Sequence, residues 1–356
     1  MVDTLAAGGA ERVAVNLANA LPRDRFESFI CTTRRAGPLS ALVQPHVKGV
    51  DLNRRSRVDI VAVVRFARWL RTNRIAIVHA HGTALFICAL ATRLYPSARL
   101  IWHDHFGRYL VDKRPVWPYR LALRKVSAAL MVNQPLADIA IQEFRVPAKR
   151  VFYIPNFVIE PPGAGVALNL PGMKTSRIVC VANLRPEKDH LTLIDAMKQV
   201  VESDPRACLL LVGSETDPAQ TAKVKLRIQE SGLSGHVSLL GSRGDVWSIL
   251  RACGIGVLSS SSEGMPLALL EYGLAGLPVV STSVGQCGEM LDEGRAGILV
   301  SPGKPEELAA AIVTLLRSRD LRERLGAAFK ARVDREYGEQ KIVNEITEVY
   351  RRALSA

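Results

Sequence analysis

Short apolar runs alternate with amphipathic helical patterns along almost the whole chain. Most of these runs are continuously apolar, which is typical of strands covered on both faces. The predicted strands are FESFICTT, IAIVHAHG, ARLIWHDH, AALMVNQ and VFYIPN in the first half, and SRIVCVANL, ACLLLVGS, HVSLLG, IGVLSS, LPVVST and AGILV in the second. This repeated alternation of strand and helix predicts parallel sheets of the doubly wound α/β class.

A stretch rich in Pro and Gly, Ile159–Ser176, interrupts this alternation and has no periodicity. We therefore predict two Rossmann-like domains, residues 1–160 and 174–336, joined by a linker at 161–173. We expect the terminal segment, 337–356, to be a helix that packs back on the first domain. A chain of 356 residues is long enough for two such domains.

The first strand of the first domain is expected to be missing. The glycine loop AAGGAER should follow a strand, yet only Met1–Asp3 precede it with any strand character. We expect that about five to eight residues, the usual length of a strand, are missing upstream. The alternative is a sheet that lacks this strand.

The positive charge lies entirely in the first half of the chain. Residues 1–165 contain 24 Lys and Arg against 11 Asp and Glu, whereas the remaining residues contain 23 of each kind. This asymmetry indicates either an anionic partner, such as a membrane surface, or an ordinary solvated arginine surface. Nucleic acid is disfavoured, because no nucleic-acid-binding signature occurs and no aromatic stripe is interleaved with the arginines.

The remaining composition is typical of a cytoplasmic protein. The six cysteines are scattered without CxxC or CxH spacing, as expected for reduced thiols. No apolar run reaches the length of about 18 residues that a membrane span needs, and the N-terminus lacks the pattern of a secretory signal.

Two glutamates stand eight positions apart in SSSSEGMPLALLEYGLA. Glu263 follows an apolar strand, and Glu271 lies inside an apolar helix whose start is marked by serines and Pro266. Such a strand–loop–helix unit directs backbone N–H groups and the positive end of the helix dipole to the sheet edge where phosphorylated ligands bind. A buried carboxylate needs a partner. For Glu271 the residues alone leave both a structural ion pair and a ligand hydroxyl open.

The segment EGMPLALLE resembles the E-x7-E signature of the retaining glycosyltransferases of family 4. GGAERVAVNLANAL, IVHAHG, VANLRPEKDHLTLIDA and IPNFV are similar to other segments of that family. The resemblance covers essentially the entire chain and is most specific over residues 178–300. It implies two Rossmann-like domains facing a cleft, the GT-B fold, and transfer with retention of configuration.

The resemblance also implies roles for individual residues. Glu263 would accept hydrogen bonds from the donor sugar, and Glu271 would bind the ribose hydroxyls of the nucleotide. Arg185 and Lys188 would contact the diphosphate, whose negative charge grows as the sugar leaves. Further donor-binding residues are Gly8, Gly9, Gly264, Met265, Pro266 and Leu267, among which Met265 and Leu267 would supply backbone N–H donors.

A histidine near the anomeric carbon is also implied. In IWHDHFG the closer match is His103 and the runner-up is His105, although the residues alone indicate only a polar strand end. His79 and His81 are expected to have a structural or acceptor-edge role. No Asp-x-Asp motif for a diphosphate-bound metal occurs in the chain, so we predict transfer without a metal and without a cofactor.

Two basic segments bear on the acceptor. Arg57–Arg74 is an amphipathic helix, either a crossover helix or a lipid-binding one. Arg108–Lys125 interleaves Tyr109, Trp117 and Tyr119 with basic residues and is the better candidate for membrane contact. With the resemblance, this predicts a lipid-diphosphate-linked saccharide acceptor at the inner face of the cytoplasmic membrane. The donor would be a UDP-sugar, with GDP-mannose as the alternative, and the transferred group a hexose or N-acetylhexosamine.

Three rival functions remain open at this point. A sugar-nucleotide epimerase of the same fold would need no acceptor. An inactive nucleotide-sugar-binding protein would fit a missing first strand. A dehydrogenase is disfavoured, because no GxGxxG fingerprint follows a strand.

Overall fold

The computed structural model describes residues 1–56, 59–106, 114–160 and 168–355. The chain divides into two compact units, which we call unit 1, Met1–Phe157 with Glu339–Ala356, and unit 2, Val158–Gly338. Most of the predicted linker, residues 161–167, lies outside the described residues.

The strands of unit 1 all pair in parallel. Their bounds are β1 Val2–Thr4, β2 Phe29–Arg35, β3 Lys48–Asp51, β4 Ile77–His81, β5 Arg99–Asp104, β6 Ala128–Met131 and β7 Val151–Tyr153. They form two hydrogen-bonded sets in the orders β1-β2-β3 and β4-β5-β6-β7. This confirms the predicted α/β class with parallel sheets.

Met1 joins these two sets through its backbone. Its amino group donates to the carbonyl oxygen of His79 at 2.8 Å, and the N–H of His81 donates to the carbonyl oxygen of Met1 at 2.9 Å. The expectation that the first strand is missing is therefore wrong, because β1 is present as a strand of 3 residues. So short a strand persists because β2 pairs with it on one side, and on the other side the adjoining Met1 is hydrogen-bonded to His79 and His81 of β4. The residues expected upstream stay a prediction.

Helices connect the strands of unit 1. They are α1 Gly9–Ala20, α2 Ile60–Thr72, α3 Leu85–Leu94, α4 Val116–Leu123 and α5 Gln134–Gln142. In α2 the Asp59 carboxylate accepts the Ala62 N–H at 2.9 Å, an N-cap that fixes the helix start. Trp69 of α2 packs edge-on against Phe29 of β2, so α2 is a crossover helix. Ile60, the first residue of α2, is 71% exposed, and Arg57 lies outside the described residues.

Unit 2 contains one parallel sheet of six strands. The strands are β8 Arg177–Val181, β9 Cys208–Val212, β10 Val237–Gly241, β11 Ile255–Leu258, β12 Val279–Thr282 and β13 Ile298–Val300. The helices are α6 His190–Ser203, α7 Pro218–Glu230, α8 Val246–Arg251, α9 Leu267–Leu274, α10 Cys287–Met290, α11 Pro305–Arg317 and α12 Arg319–Glu336. Strands β9, β11 and β12 are buried along their whole length, which explains their continuously apolar sequences.

The strand order of unit 2, β10-β9-β8-β11-β12-β13, reverses direction between β8 and β11. In an open parallel sheet, ligands bind at the carboxyl ends of the strands where the order reverses. The loops that follow β8 and β11 therefore mark the expected binding edge of this unit.

The last helix, α13 Glu339–Ser355, belongs to unit 1. Among the described residues, no helix combines the length and the apolar character needed to cross a bilayer. All six cysteines are buried free thiols.

Candidate functional site

The two loops at the binding edge of unit 2 are joined by an ion pair. Lys188, in the loop after β8, places Nζ 2.6 Å from Oε1 of Glu263, in the loop after β11. The Ser260 hydroxyl donates to the same carboxylate oxygen at 2.7 Å, and the Ser259 hydroxyl donates to the Lys188 carbonyl oxygen at 2.9 Å. The Glu263 side chain is 8% exposed and that of Lys188 is 23% exposed. Two residues separated widely in sequence thus form one charged centre.

Arg185 lies at the start of the same loop and is exposed. Among the described residues, no side chain forms a hydrogen bond or ion pair with its guanidinium. A short 3-10 turn, Pro186–Lys188, follows it, and Asp189 then begins α6 with a left-handed backbone, φ 45°. The loop therefore presents one unpaired and one paired cation at the binding edge.

The segment Gly264–Pro266 leads into α9 and is buried. Pro266 is the N-cap and Leu267 the first helical residue, as the start signals predicted. Gly285 packs against this segment, since a Cβ there would lie 2.3 Å from the carbonyl oxygen of Glu263. The N–H of Gln286 donates to the Gly264 carbonyl oxygen at 3.1 Å. Sequence reasoning missed Gly285, which holds the Glu263 loop in place.

Glu271 lies one turn inside α9 and is 8% exposed. The next residue, Tyr272, fixes this helix to the sheet. Its hydroxyl accepts the Val181 N–H at 2.7 Å and donates to the Val257 carbonyl oxygen at 3.2 Å. Burial raises the pKa of Tyr272 well above its usual value, so the hydroxyl stays protonated. A signal for this contact was Gly256 in an apolar strand, where a Cβ would approach the Tyr272 ring to 2.7 Å.

Four histidines form one cluster at the ends of β4 and β5 in unit 1. His81 lies directly opposite His103 in the parallel ladder. Nδ1 of His81 is 3.0 Å from Nε2 of His105. Nδ1 of His105 is 3.1 Å from the Asn156 amide oxygen. The sequence showed two histidine pairs, but their meeting depends on strand register, which single segments do not reveal.

Burial controls the charge of this cluster. It lowers the pKa of His79, His81 and His103 well below the usual histidine value, and that of His105 to about 4. The imidazoles are therefore neutral at pH 7. His103 is 1% exposed, whereas His105 is partly exposed, so the runner-up is the more accessible of the two candidates.

Nitrogen atoms of His79, His81 and His103 lie within 4.8 Å of one another, which raises the question of a metal. The rings of His79 and His81 are stacked, with 5° between their planes and 4.5 Å between centroids. A nitrogen lone pair lies in the plane of its ring, so two stacked parallel rings do not direct their lone pairs at one ion. Within the cluster of neutral rings, His79 and His81 are stacked, whereas the His103 ring is tilted by 31° from that of His79.

Gly8 and Gly9 follow β1 at the same edge of unit 1. Gly8 is the N-cap of α1, and a Cβ there would meet the carboxylate of Glu11 at 2.2 Å. Gly9 is the first helical residue and is exposed. The start of α1 therefore presents the exposed backbone of Gly9 beside the Glu11 carboxylate.

The predicted membrane-contact segment is only partly described, because residues 107–113 lie outside the described residues. Trp117 is 72% exposed and Leu121 is 47% exposed on α4. Tyr119, expected at the surface, is buried at 5% and stacks on Phe144. It points inward because the helical repeat places it on the opposite side of α4 from Trp117.

Both halves of the chain match family models. Residues 7–159 match the model described as Glycosyltransferase Family 4, and residues 169–332 match the one described as Glycosyl transferases group 1. With two parallel-sheet α/β units, these matches define the class as glycosyltransferases of the GT-B fold. The chain belongs to the family 4 glycosyltransferases, as the sequence resemblance implied.

Individual relatives extend over most of the chain. The Escherichia coli UDP-Gal:alpha-D-GlcNAc-diphosphoundecaprenol alpha-1,3-galactosyltransferase is 25% identical over 86% of this chain and 84% of its own. The lipopolysaccharide core biosynthesis glycosyltransferase LpsE of Rhizobium meliloti is 25% identical over 89% and 88%. A crystal structure of Anabaena Alr3699/HepE in complex with UDP and glucose has a TM-score of 0.80 at 22% identity and covers 97% of this chain and 96% of that one. This last similarity shows the fold.

Proposed function

We propose that this protein is a retaining, metal-independent transferase that moves a hexose or N-acetylhexosamine from a nucleotide-diphosphate sugar to a lipid-diphosphate-linked saccharide. UDP-sugars are the favoured donors, with GDP-mannose as the alternative. The observation that carries the proposal is the Lys188–Glu263 pair, at 2.6 Å on the binding edge of unit 2. The name of the E. coli relative, whose acceptor is a diphosphoundecaprenol-linked sugar, supports the acceptor class.

The residues of unit 2 supply what the donor needs. Arg185 and Lys188 face the diphosphate, and the N–H groups of Met265 and Leu267 at the start of α9 add to the positive potential. Glu263 accepts hydrogen bonds from sugar hydroxyls, and Glu271 accepts them from the ribose. Because the Lys188–Glu263 pair and the serine hydroxyls already hold these two loops, little reorganisation of this pair is needed when charge develops.

In the reaction, the bond between the anomeric carbon and the diphosphate oxygen breaks, and its electron pair stays on that oxygen. The acceptor hydroxyl oxygen bonds to the carbon on the same face, and its proton passes to the departing diphosphate. Lys188 and Arg185 stabilise the charge that builds on the diphosphate. The absence of an Asp-x-Asp motif from the sequence supports transfer without a metal at this position.

Unit 1 supplies the acceptor side in this proposal. His103 stays a candidate for the sugar-facing histidine, and the greater exposure of His105 supports the second candidate. Either ring, being neutral, offers one donor and one acceptor nitrogen to a hydroxyl. Gly8 and Gly9 allow a phosphate or an acceptor to approach the backbone closely.

We place the protein in the cytoplasm, peripheral on the inner face of the membrane. The excess of basic residues within 1–165 supports attraction to anionic lipid. The exposed Trp117 and Leu121 on α4 support shallow insertion beside the basic side chains.

Turnover of labelled UDP- and GDP-sugars with a lipid-linked acceptor tests the proposal. Glu263→Ala and Lys188→Ala should each reduce turnover by about 100-fold or more, the size expected for a preorganised electrostatic group, while circular dichroism stays unchanged. Lys225→Ala is the matched control, because Lys225 forms an exposed ion pair with Glu215 in the same unit. Wild-type-like turnover in both site variants would overturn the site assignment. Conversion of the nucleotide sugar without an acceptor would identify an epimerase instead.

A further inference from the structure

The end of β4 lies where the strand order of unit 1 reverses. The hydrogen bonds of Met1 to His79 and His81 place the start of β1 beside β4, so the strands follow the order β3-β2-β1-β4-β5-β6-β7. Ligands of open parallel sheets bind at the carboxyl ends of the strands at such a reversal. His81, the last residue of β4, therefore lies at the expected binding edge of unit 1.

Three side chains at this edge form a chain of hydrogen bonds. Nδ1 of His105 is 3.1 Å from the amide oxygen of Asn156, and Nε2 of His105 is 3.0 Å from Nδ1 of His81. The planes of the two imidazoles differ by 10°, and their centroids are 5.2 Å apart. This separation is close to the largest that such a nitrogen–nitrogen distance allows. The two rings therefore lie edge to edge, as a direct hydrogen bond between them requires.

Asn156 fixes the direction of this chain. An amide oxygen only accepts, so Nδ1 of His105 must carry the proton of that ring. Both histidines are neutral at pH 7, because burial lowers their pKa values. Nε2 of His105 is then an acceptor, and Nδ1 of His81 must donate to it. This leaves a lone pair on Nε2 of His81, to which no hydrogen bond is made among the described residues.

His79, two positions earlier on the same face of β4, is oriented by a different residue. Its Nδ1 is 2.5 Å from the hydroxyl of Tyr350. Burial raises the pKa of Tyr350, so this hydroxyl stays protonated and donates to Nδ1. The proton of His79 is therefore on Nε2, the reverse of the arrangement in His81. His79 thus provides an internal reference whose tautomer does not depend on Asn156.

We propose that Asn156 is a positioning residue that acts through His105 to hold His81 in the tautomer whose Nε2 accepts a hydrogen bond. This nitrogen then orients the attacking hydroxyl of the saccharide acceptor. The inference rests on the proposed function, in which the acceptor reacts through a hydroxyl. A hydroxyl that donates to His81 keeps the lone pairs of its oxygen available to bond to the anomeric carbon. The proton still passes to the departing diphosphate.

The first test reads the tautomers by nitrogen NMR of the full chain with isotope-labelled histidine. In a neutral imidazole the protonated nitrogen and the lone-pair nitrogen have well-separated chemical shifts. We expect His81 and His105 to be protonated at Nδ1 and His79 at Nε2. Asn156→Leu has a similar volume but no amide. It should release His105 and His81 into a mixture of tautomers and leave His79 unchanged.

Asn16→Leu is the matched control. Asn16 is also buried, but its amide donates to the backbone carbonyl of Phe157, at 3.4 Å, instead of bonding to an imidazole. This variant should leave the tautomers of His79, His81 and His105 unchanged.

The second test measures transfer by steady-state kinetics. Asn156→Leu should lower kcat/KM for the acceptor by about tenfold, the size expected for one hydrogen bond to the hydroxyl. The KM for the nucleotide sugar should not change, because the donor is bound by residues of unit 2. A loss that arose from general damage to the fold would affect both substrates.

A proton on Nε2 of His81 in the parent chain would overturn the proposal. So would an unchanged His81 tautomer in Asn156→Leu, or an altered tautomer with an unchanged kcat/KM for the acceptor. The parent chain needs no substitution, so its tautomers decide the assignment even if Asn156→Leu fails to fold. The expected tautomers in a chain without transferase activity would contradict the proposed function but support the role of Asn156.

Discussion

The ion pair of unit 2 and the histidine cluster of unit 1 differ in charge. In unit 2, Lys188 and Glu263 are close and oppositely charged, and serine hydroxyls fix the loops that carry them. In unit 1, His79, His81 and His103 lie together as buried rings whose lowered pKa values keep them uncharged. A fixed charged pair suits a diphosphate on which charge grows, whereas neutral rings suit hydroxyl groups. The family resemblance implied residues in both centres, but only the structure shows that one is an ion pair and the other a group of neutral rings.

The largest effect that tests the comparison is expected from Gly285→Ala. The added Cβ meets the Glu263 carbonyl oxygen at 2.3 Å and must displace the Glu263 loop. Because a misplacement of about 1 Å costs about 100-fold in rate, we expect a turnover loss of that order. Steady-state kinetics with a saturating acceptor measure it.

Gly303→Ala is the control for backbone strain. Gly303 also has a positive φ, +69° against +53° for Gly285, but nothing lies within 4 Å of its Cβ position. Turnover of Gly303→Ala should stay close to that of the parent chain. If both variants lose activity equally, strain rather than the position of Glu263 explains the loss.

The sequence predicted unit 2 well because its signals are local. Continuous apolar strands, the start of α9 and the loops after β8 and β11 are each encoded within a short segment. The Lys188–Glu263 contact follows from parallel topology once both loops sit at the carboxyl edge. Gly285 and Tyr272 could not be found in this way, because their roles depend on which distant backbone atoms they approach.

Unit 1 was harder to predict because its features depend on register and on short elements. A strand of 3 residues gives only a weak pattern, although its pairing with β2 and the hydrogen bonds from Met1 to β4 hold it in place. His81 and His103 belong to different strands, and only the ladder brings them opposite each other. The basic neighbours of Tyr119 predict a surface position, yet the helical repeat turns its side chain inward.

Acid should destabilise unit 1 more than unit 2, with a loss of about a few kcal/mol in the free energy of unfolding. A buried histidine whose folded pKa is lowered contributes stability above its unfolded pKa, near 6.5, and loses it as the pH falls towards the folded value. For His105, with a pKa of about 4, the loss at pH 5 is about 2 kcal/mol. Burial lowers the pKa values of three further histidines in unit 1, His79, His81 and His103. In unit 2, His190 has a pKa lowered in the same way. We therefore expect unit 1 to destabilise first between pH 7 and pH 5.

Amide hydrogen exchange, measured between pH 7 and pH 5 in β5 of unit 1 and in β11 of unit 2, tests this order of destabilisation. Each core strand loses protection when its own unit opens. His105→Gln keeps a hydrogen-bonding side chain but does not titrate, so the stability of unit 1 should depend less steeply on pH in this variant. Earlier loss of protection in β11 than in β5 would contradict the comparison.

The smallest effect is expected for two buried tyrosines, one in each unit, when each is changed to Phe and the loss in the free energy of unfolding is compared. The Tyr272 hydroxyl bonds to two backbone groups, at Val181 and Val257, whereas the Tyr350 hydroxyl meets only His79 Nδ1, at 2.5 Å, among the hydrogen bonds described. Tyr272→Phe leaves a strand N–H without its acceptor, so we expect a loss of about 1–3 kcal/mol in the free energy of unfolding. Tyr350→Phe should cost about half as much, because a neutral imidazole can turn to another partner more easily than a strand backbone can. Urea unfolding of both variants measures the difference, and an equal or larger loss for Tyr350→Phe would show that the histidine cluster is as rigid as the α9 anchor.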